Sequence, residues 1–406
     1  MKNTIFSCIV LFFLLIQCQA PKKVTTPVVF TINQFDVPNN QMKVTFSITN
    51  PTQEVWEGGQ WALHWNQFSG SILAESLSDG MNLAPTKNNQ YWILSFESPH
   101  TLNPGATLEF SVTESGIINR LVMGPIGFFV HHAQNDELFD LESTVVWKDA
   151  KGLEGLNIPS AADRYATYEG IHTLPKESLH WVLPVPQKIA LQEGNRPLPE
   201  SLQINFGQFS LDSSFLIQRL QNGTQLEISA ATSDGAGIQI KQNKLLPKEG
   251  YQLKITPEQI QIEASSNSGV FYALESLHQI IITAEREGNE LPLLEIEDAP
   301  RFQHRGFMTD IARNFFPKEK IIQILEYMAF YKLNLLDLKL SDDEGWRIEI
   351  PDLPELTQSG SKRGLTQDES DRLFPMYGSG SGKSQSQGSG FLTREDFIEI
   401  LQEAEK

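Results

Sequence analysis

Two cysteines in 406 residues, Cys8 and Cys18, both within the first twenty positions, leave the rest of the chain with no possible disulfide and no thiolate metal site. Stability must come from packing. Basic charge is also scarce, with 32 lysines and arginines against 50 acids and a formal net charge of −18. Such a balance repels phosphate backbones, so nucleic acid is not an expected partner. Long apolar runs are confined to the start: Ile9 to Ile16 follows Lys2, and about eight to twelve apolar residues are too few to span a bilayer. No nucleotide, flavin or metal signature stands out, and no cofactor is expected. What remains is an ordinary globular composition, 40% hydrophobic and 20% charged, long enough for two to four domains at about 100 to 200 residues each.

Residues 1–20 have the layout of a secretory signal. Leu15-Ile16-Gln17-Cys18 resembles a bacterial lipobox, in which Cys18 would be acylated, although Gln17 stands where a small residue is usual. Cys18-Gln19-Ala20 is alternatively a small-x-small cleavage site, which Pro21 disfavours. The polar segment 21–29 reads as a linker or tether. The expectation is an exported protein of the cell envelope, anchored to the membrane through Cys18 and facing the periplasm or the cell surface.

From 30 to 165 the chain reads as short strands. VVFTINQFDV, QMKVTFSITN, YWILSFES and ATLEFSVTESG alternate apolar and polar residues between Asn, Pro and Gly breaks, the pattern of an antiparallel β-sandwich. Trp56, Trp61, Trp65, Trp92 and Trp147 fall here. They fit either a sugar-stacking face or a core, and in a sandwich the core is the commoner place for them.

Between 180 and 298, alternation in GIQIKQ and YQLKITPEQIQIEA gives way to helical spacing, with Val270, Leu274, Leu277 and Ile281 on one stripe. This predicts a small α+β domain, with His278 as a partly buried, satisfied histidine.

The segment 299–406 opens with a strand over Gly306–Ile311. Pro317 sits in the first turn of a helix that buries Ile321, Leu325 and Met328, and LLDLKL is a second strand ended by Ser341. Strand, helix, strand over so short a distance is a parallel βαβ unit. Asp342, Asp343 and Glu344 therefore follow the carboxyl end of a parallel strand, where βα barrels gather ligands, and Arg313 stands at the matching end of the strand before it. Crowded carboxylates repel, so a cation or a ligand must offset them. A helix over TREDFIEILQEAEK, with Thr393 and Asp396 as a capping box, closes the sequence. Between Leu365 and Phe391 the Gly/Ser-rich stretch GSGSGKSQSQGSG predicts a flexible, lid-like loop rather than a phosphate cradle.

RGFMTDIARNFFP, MAFYKLNLLDLKLSDDEGWRIEI and PELTQSGSKRG, in that order and spacing, resemble the start of the catalytic domain of glycoside hydrolase family 20, the β-N-acetylhexosaminidases. VLPVPQKI and GVFYALESLHQII resemble the family's second domain, and GGQWALHWNQFSG the N-terminal domain of bacterial chitobiases and related hexosaminidases. The resemblance implies a multi-domain chain: a β-sandwich, an α+β domain, then an incomplete (β/α)8 TIM barrel of about two βα units. It implies a glycan partner carrying N-acetylhexosamine. Arg313 would bind hydroxyls of the terminal sugar and Asp342 would hold the active site in place, with Asp343, Trp346 and Glu344 supporting them. Many members carry histidines where this chain has Asp337 and Lys339, which share a strand face and so invite an internal ion pair.

The family's reaction is substrate-assisted, the sugar's own acetamido carbonyl attacking its anomeric carbon, with an Asp–Glu pair to orient that group and protonate the leaving oxygen. No residue here corresponds to that pair. A barrel takes about 250 residues, and 106 run from Arg301 to Lys406. The pair is thus expected beyond Lys406, and the chain alone is expected not to hydrolyse. The alternative from another class is a non-catalytic, surface-tethered carbohydrate-binding protein that uses its sandwich.

Overall fold

The computed structural model describes residues 26–84, 90–147, 150–153, 161–172, 181–233, 235, 237–382 and 388–406. Cys18 and the signal lie outside them. The chain divides into two compact units, with the break between Ile158 and Pro159.

The first unit contains β1 (Val28–Asp36), β2 (Gln41–Thr49), β3 (Trp61–Asn66), β4 (Ser71–Ile72), β5 (Met81–Ala84), β6 (Tyr91–Phe96), β7 (Thr107–Ser115), β8 (Ile126–His132), β9 (Glu137–Asp140) and β10 (Ser143–Val146). They form two five-stranded sheets, ordered β10-β1-β2-β7-β4 and β5-β6-β3-β8-β9. All pairings are antiparallel except β1 with β10, which is parallel and departs from the purely antiparallel expectation. Aromatic rings fill the space between the sheets: Phe46 of one lies 5.6 Å from Trp65 and 6.5 Å from Phe128 of the other. Trp56, Trp61 and Trp65 are buried, and Trp92 and Trp147 pack against the same core. The tryptophans thus serve the core rather than a sugar-stacking face.

The second unit begins with the short α1 (Ala161–Ala166). It continues through β11 (Lys188–Pro197), β12 (Ser201–Asn205), α2 (Ser213–Gln221), β13 (Glu227–Ala230), β14 (Ile238–Gln242), β15 (Tyr251–Ile255), β16 (Ile260–Ala264), α3 (Asn267–Glu287) and β17 (Glu290–Asp298). Its seven strands make one mixed sheet, ordered β11-β17-β15-β16-β14-β12-β13. The stripe on α3 is buried as the spacing required: Val270, Leu274, Leu277 and Ile281 all join the core. His278 is buried too, with Nε2 2.8 Å from the carbonyl oxygen of Asn222.

Then come β18 (Gly306–Asp310), α4 (Lys318–Phe330) and β19 (Leu335–Lys339), with the two strands parallel. Pro317 is the N-cap of α4, one position before its first turn. Ile321 and Met328 are buried and Leu325 packs beside them. Ser341 does not simply end the second strand. It opens β20 (Ser341–Asp342), which folds back on β21 (Gly345–Trp346) as a tight hairpin with Asp343 and Glu344 at its tip. Two helices follow, the single-turn α5 (Glu355–Gln358) and α6 (Arg394–Glu405), whose Thr393–Asp396 capping box forms as expected.

Candidate functional site

At the carboxyl end of β18, Asp310 turns its carboxylate back onto the chain, and its Oδ1 accepts from the Arg313 backbone N–H at 3.0 Å. Lys339, the last residue of β19, reaches both neighbouring acids: its Nζ lies 2.9 Å from Asp310 Oδ2 and 2.5 Å from Asp342 Oδ2. Arg313 Nε stands 3.6 Å and 3.8 Å from the same two oxygens. The structure thus brings together Arg313 and Asp342, as the sequence reading required, but does so through Asp310 and Lys339, which that reading had not placed at the site. Asp337 takes no part; it is exposed, and the Asp337–Lys339 pair does not form. Residue 337 shares a strand face with 339, yet a lysine is long enough to abandon that face for two carboxylates at the strand's end.

Charge is balanced inside the cluster. Burial opposes ionisation of Asp310, but the Arg313 amide and the Lys339 ammonium outweigh it and hold the carboxyl below its usual range. Hydrogen bonds to Asp342 and Asp310 push Lys339 up in turn. The Arg313 side chain is 58% exposed while that of Asp342 is 13% exposed. The guanidinium is therefore the member turned to solvent, where a ligand would meet it.

The hairpin explains why three acids crowd at one point. Asp342 Oδ1 accepts from the Glu344 N–H at 2.8 Å, which fixes the turn. Asp343 is exposed, and Glu344 is half-buried with its carboxyl raised by burial first and by Asp343 and Asp342 after it. Gly345 is required, because a Cβ there would meet the Ala312 carbonyl at 2.8 Å. Trp346 is half-buried and donates its indole N–H to the Ile348 carbonyl at 2.6 Å. It thereby ties the hairpin to the segment that follows it.

Two arginines that sequence reading passed over hold this end of the sheet. Arg347 is fully buried and donates to the carbonyls of Ala312, Ser361 and Gly390. Arg363, also buried, donates to those of Glu344, Arg313 and Ala312. The Gly/Ser stretch is consequently not a free lid in its described part. The Leu365 N–H donates to the Ser381 carbonyl at 3.1 Å, Ser379 and Ser381 are buried, and Gly390 at φ +135° lies so close to the Phe315 ring that no Cβ would fit. Residues 383–387 lie outside the described residues. The stretch also delivers Tyr377 to the site's edge, its ring 5.6 Å from the Arg363 guanidinium.

The order of parts is thus a β-sandwich, a mixed α+β sheet and then β18, α4 and β19 with a cation–carboxylate cluster at the strand ends. The comparisons with known proteins say which family has it. Residues 180–299 match the family model for glycosyl hydrolase family 20, domain 2, and residues 302–406 the model for its catalytic domain. The chain belongs to glycoside hydrolase family 20.

It is 32% identical over 271 residues to the N,N'-diacetylchitobiase of Vibrio harveyi, covering 62% of this chain and 29% of that one. To the beta-hexosaminidase B of Pseudoalteromonas piscicida it is 34% identical over 226 residues, 55% of this chain and 28% of the relative. The chain therefore spans under a third of the length of either. A crystal structure of a family 20 exo-β-N-acetylglucosaminidase from Vibrio harveyi, in complex with N-acetylglucosamine, superposes with a TM-score of 0.70 at 24% identity, over 93% of this chain and 55% of that one. At that identity the match speaks for the fold alone.

Proposed function

We propose that this chain carries the substrate-side opening of a β-N-acetylhexosaminidase, which removes terminal non-reducing N-acetylglucosamine or N-acetylgalactosamine from glycans or chitooligosaccharides by the substrate-assisted, retaining route. The observation that supports it is the Asp310–Arg313–Lys339–Asp342 cluster at the carboxyl ends of two parallel strands, inside the segment that matches the family's catalytic domain. In this reading β18, α4 and β19 begin a TIM barrel, whose ligands bind at that end.

Arg313 donates to hydroxyls of the terminal sugar. Asp342 keeps the arginine and the hairpin in register, and Asp343, Glu344 and Trp346 support that geometry. Because the acetamido oxygen is the nucleophile, no carboxylate here needs to attack the anomeric carbon. The Asp that orients the acetamido group and the Glu that protonates the leaving oxygen are assigned to no residue of this chain. The reading includes export and lipidation at Cys18, which would hold the protein at the cell envelope. Burial of Trp56, Trp61 and Trp65 counts against the alternative of a sandwich built to stack sugars.

The test pairs two measurements on the purified 406-residue chain. Titration with N-acetylglucosamine, followed by intrinsic tryptophan fluorescence and ligand-observed NMR, should show binding that Arg313→Ala abolishes. Release of 4-nitrophenol from 4-nitrophenyl N-acetyl-β-glucosaminide should be absent. Sugar binding untouched by Arg313→Ala would remove the cluster from the site, and clear turnover by a chain free of contaminating enzyme would overturn the assignment of the catalytic pair.

A further inference from the structure

The sandwich carries a second group of ionisable side chains, remote in sequence from the strand ends described above. Glu54, His132 and Glu137 each bring one ligand-type atom within 4.8 Å of the others. Two of them are direct partners across the β8–β9 ladder, His132 opposite Glu137, so the pleat sets both side chains on one face. The third arrives on a loop whose backbone is tied down. Asn50 Nδ2 donates to the Glu54 carbonyl at 2.7 Å, the Glu54 N–H donates to Thr52 Oγ1 at 3.2 Å, and Trp56 exchanges backbone hydrogen bonds with Leu102 at 3.0 Å and 2.8 Å.

His132 is only 7% exposed, and its Nε2 has no hydrogen-bond partner; Glu137 Oε2, also buried, has none either. Trp56 and Phe139 meet the imidazole edge-on at 5.9 Å and 5.2 Å, which fixes the ring plane. A buried polar atom without a partner costs on the order of 1–3 kcal/mol, so two of them side by side call for an explanation. Among the described residues neither carboxylate is ion-paired with a lysine or arginine. Instead the two carboxylates face each other beside the imidazole.

We propose that Glu54, His132 and Glu137 form a site for one divalent transition-metal cation, for which zinc is the best fit. One imidazole nitrogen with two carboxylate oxygens is a zinc-type donor set. Calcium and magnesium prefer oxygen alone and more of it. Water completes the coordination on the open side, where Glu54 is exposed. The ion removes the carboxylate repulsion, satisfies both orphaned atoms and ties the 51–55 loop to the β8–β9 hairpin. It is thereby a cross-link in a domain that has no cysteine to make one.

The experiment uses the untagged chain, stripped with chelator and then titrated with zinc by calorimetry, with manganese, calcium and magnesium in parallel and a thermal melt at each endpoint. The reference is the Glu54→Gln/Glu137→Gln double variant. The wild type should bind one zinc and melt higher with it, and should respond less to calcium or magnesium. The double variant should bind more than about tenfold more weakly. Without metal it should melt no lower than the stripped wild type, since the repulsion is gone. If the double variant does not fold, Glu54→Gln alone, at an exposed position, carries the comparison. Equal zinc affinity and equal thermal response in wild type and variant would overturn the site. So would no zinc response in either, which would leave Glu54 and Glu137 as a pair sharing a proton.

Discussion

Arg347 and Arg363 donate to the same carbonyl oxygen, that of Ala312, from 2.9 Å and 3.2 Å. Two like charges converge there because each is buried among carbonyls that only a guanidinium can satisfy together. Burial, and then the other guanidinium, lowers Arg347 to about 10, and burial lowers Arg363 as well. Ala312 lies between Asp310 and Arg313, so this clamp sets the backbone from which Arg313 is presented.

Truncating Arg347 to alanine should therefore cost about 3 kcal/mol or more, because several buried carbonyls lose charged donors at once. Arg347→Lys should recover little, since one ammonium cannot reach Ala312, Ser361 and Gly390 together. Calorimetric melts of the two variants check this; a change within experimental error for Arg347→Ala would show that the clamp is not needed for stability.

Replacing Lys339 by methionine removes the cation shared by Asp310 and Asp342. The lowered carboxyl of Asp310 contributes stability that is present above its unfolded value near 3.8 and is lost as pH falls through the depressed folded value. Without Lys339 that depression shrinks. Acid unfolding of the second unit should then begin at a higher pH than in the wild type, measured by circular dichroism between pH 2 and 6. On the proposed reading N-acetylglucosamine should also bind more weakly, because the Asp310 and Asp342 carboxylates that face Arg313 lose the ammonium holding them in place.

Glu114 in the first unit behaves oppositely. Full burial pushes its carboxyl up to about 8 from 4.5, against one hydrogen bond from Gln67 at 2.6 Å. Its contribution is fully present below about 4.5 and is lost as pH rises through about 8. Between those values the melting midpoint of the first unit should fall with pH, and Glu114→Gln should flatten the slope. An identical slope in the variant would assign the pH dependence elsewhere.

In the α+β domain Arg219 Nε meets Glu275 Oε1 at 2.6 Å, with side chains 11% and 4% exposed. Burial works against the Glu275 carboxylate, but His278 and Arg219 outweigh it and keep it low. Arg219→Ala should destabilise by about 3–5 kcal/mol by taking the guanidinium from that buried charge, while the Arg219→Leu/Glu275→Leu double variant should recover most of the loss. Denaturant melts of the three proteins would decide it, and equal losses in the single and double variants would deny the coupling.

Where a strand or helix buries one face only, the sequence announced it. Alternation located β1, β2, β6 and β7, and the 3.6-residue stripe located α3. Strands β3 and β8 were not read because they are buried on both faces over most of their length, so no period survives. The β20–β21 hairpin is too short for any periodic signal. Arg313 and Asp342 were legible through family motifs, whereas Lys339 joins them by side-chain length, which spacing does not record. The buried arginines were missed because a charged residue reads as surface, although Gly345 and Arg347 do alternate inward around Trp346. Gly and Ser between 365 and 391 look the same whether loose or pinned, and here the Arg347 guanidinium holds the Gly390 carbonyl while the Arg363 backbone N–H donates to Ser389 Oγ, both from positions before the loop.

Strands β11 and β17 pair antiparallel from Lys188 with Glu297 to Pro197 with Glu290, so the first and last strands of the α+β domain are neighbours although about a hundred residues separate them. A pull along the chain thus reaches the domain at two adjacent strand ends. The ladder opens one residue pair at a time, as a zipper does, instead of shearing all its hydrogen bonds together. Under tension this domain should give way first by shedding β11, its edge strand, while the core beneath α3 stays closed.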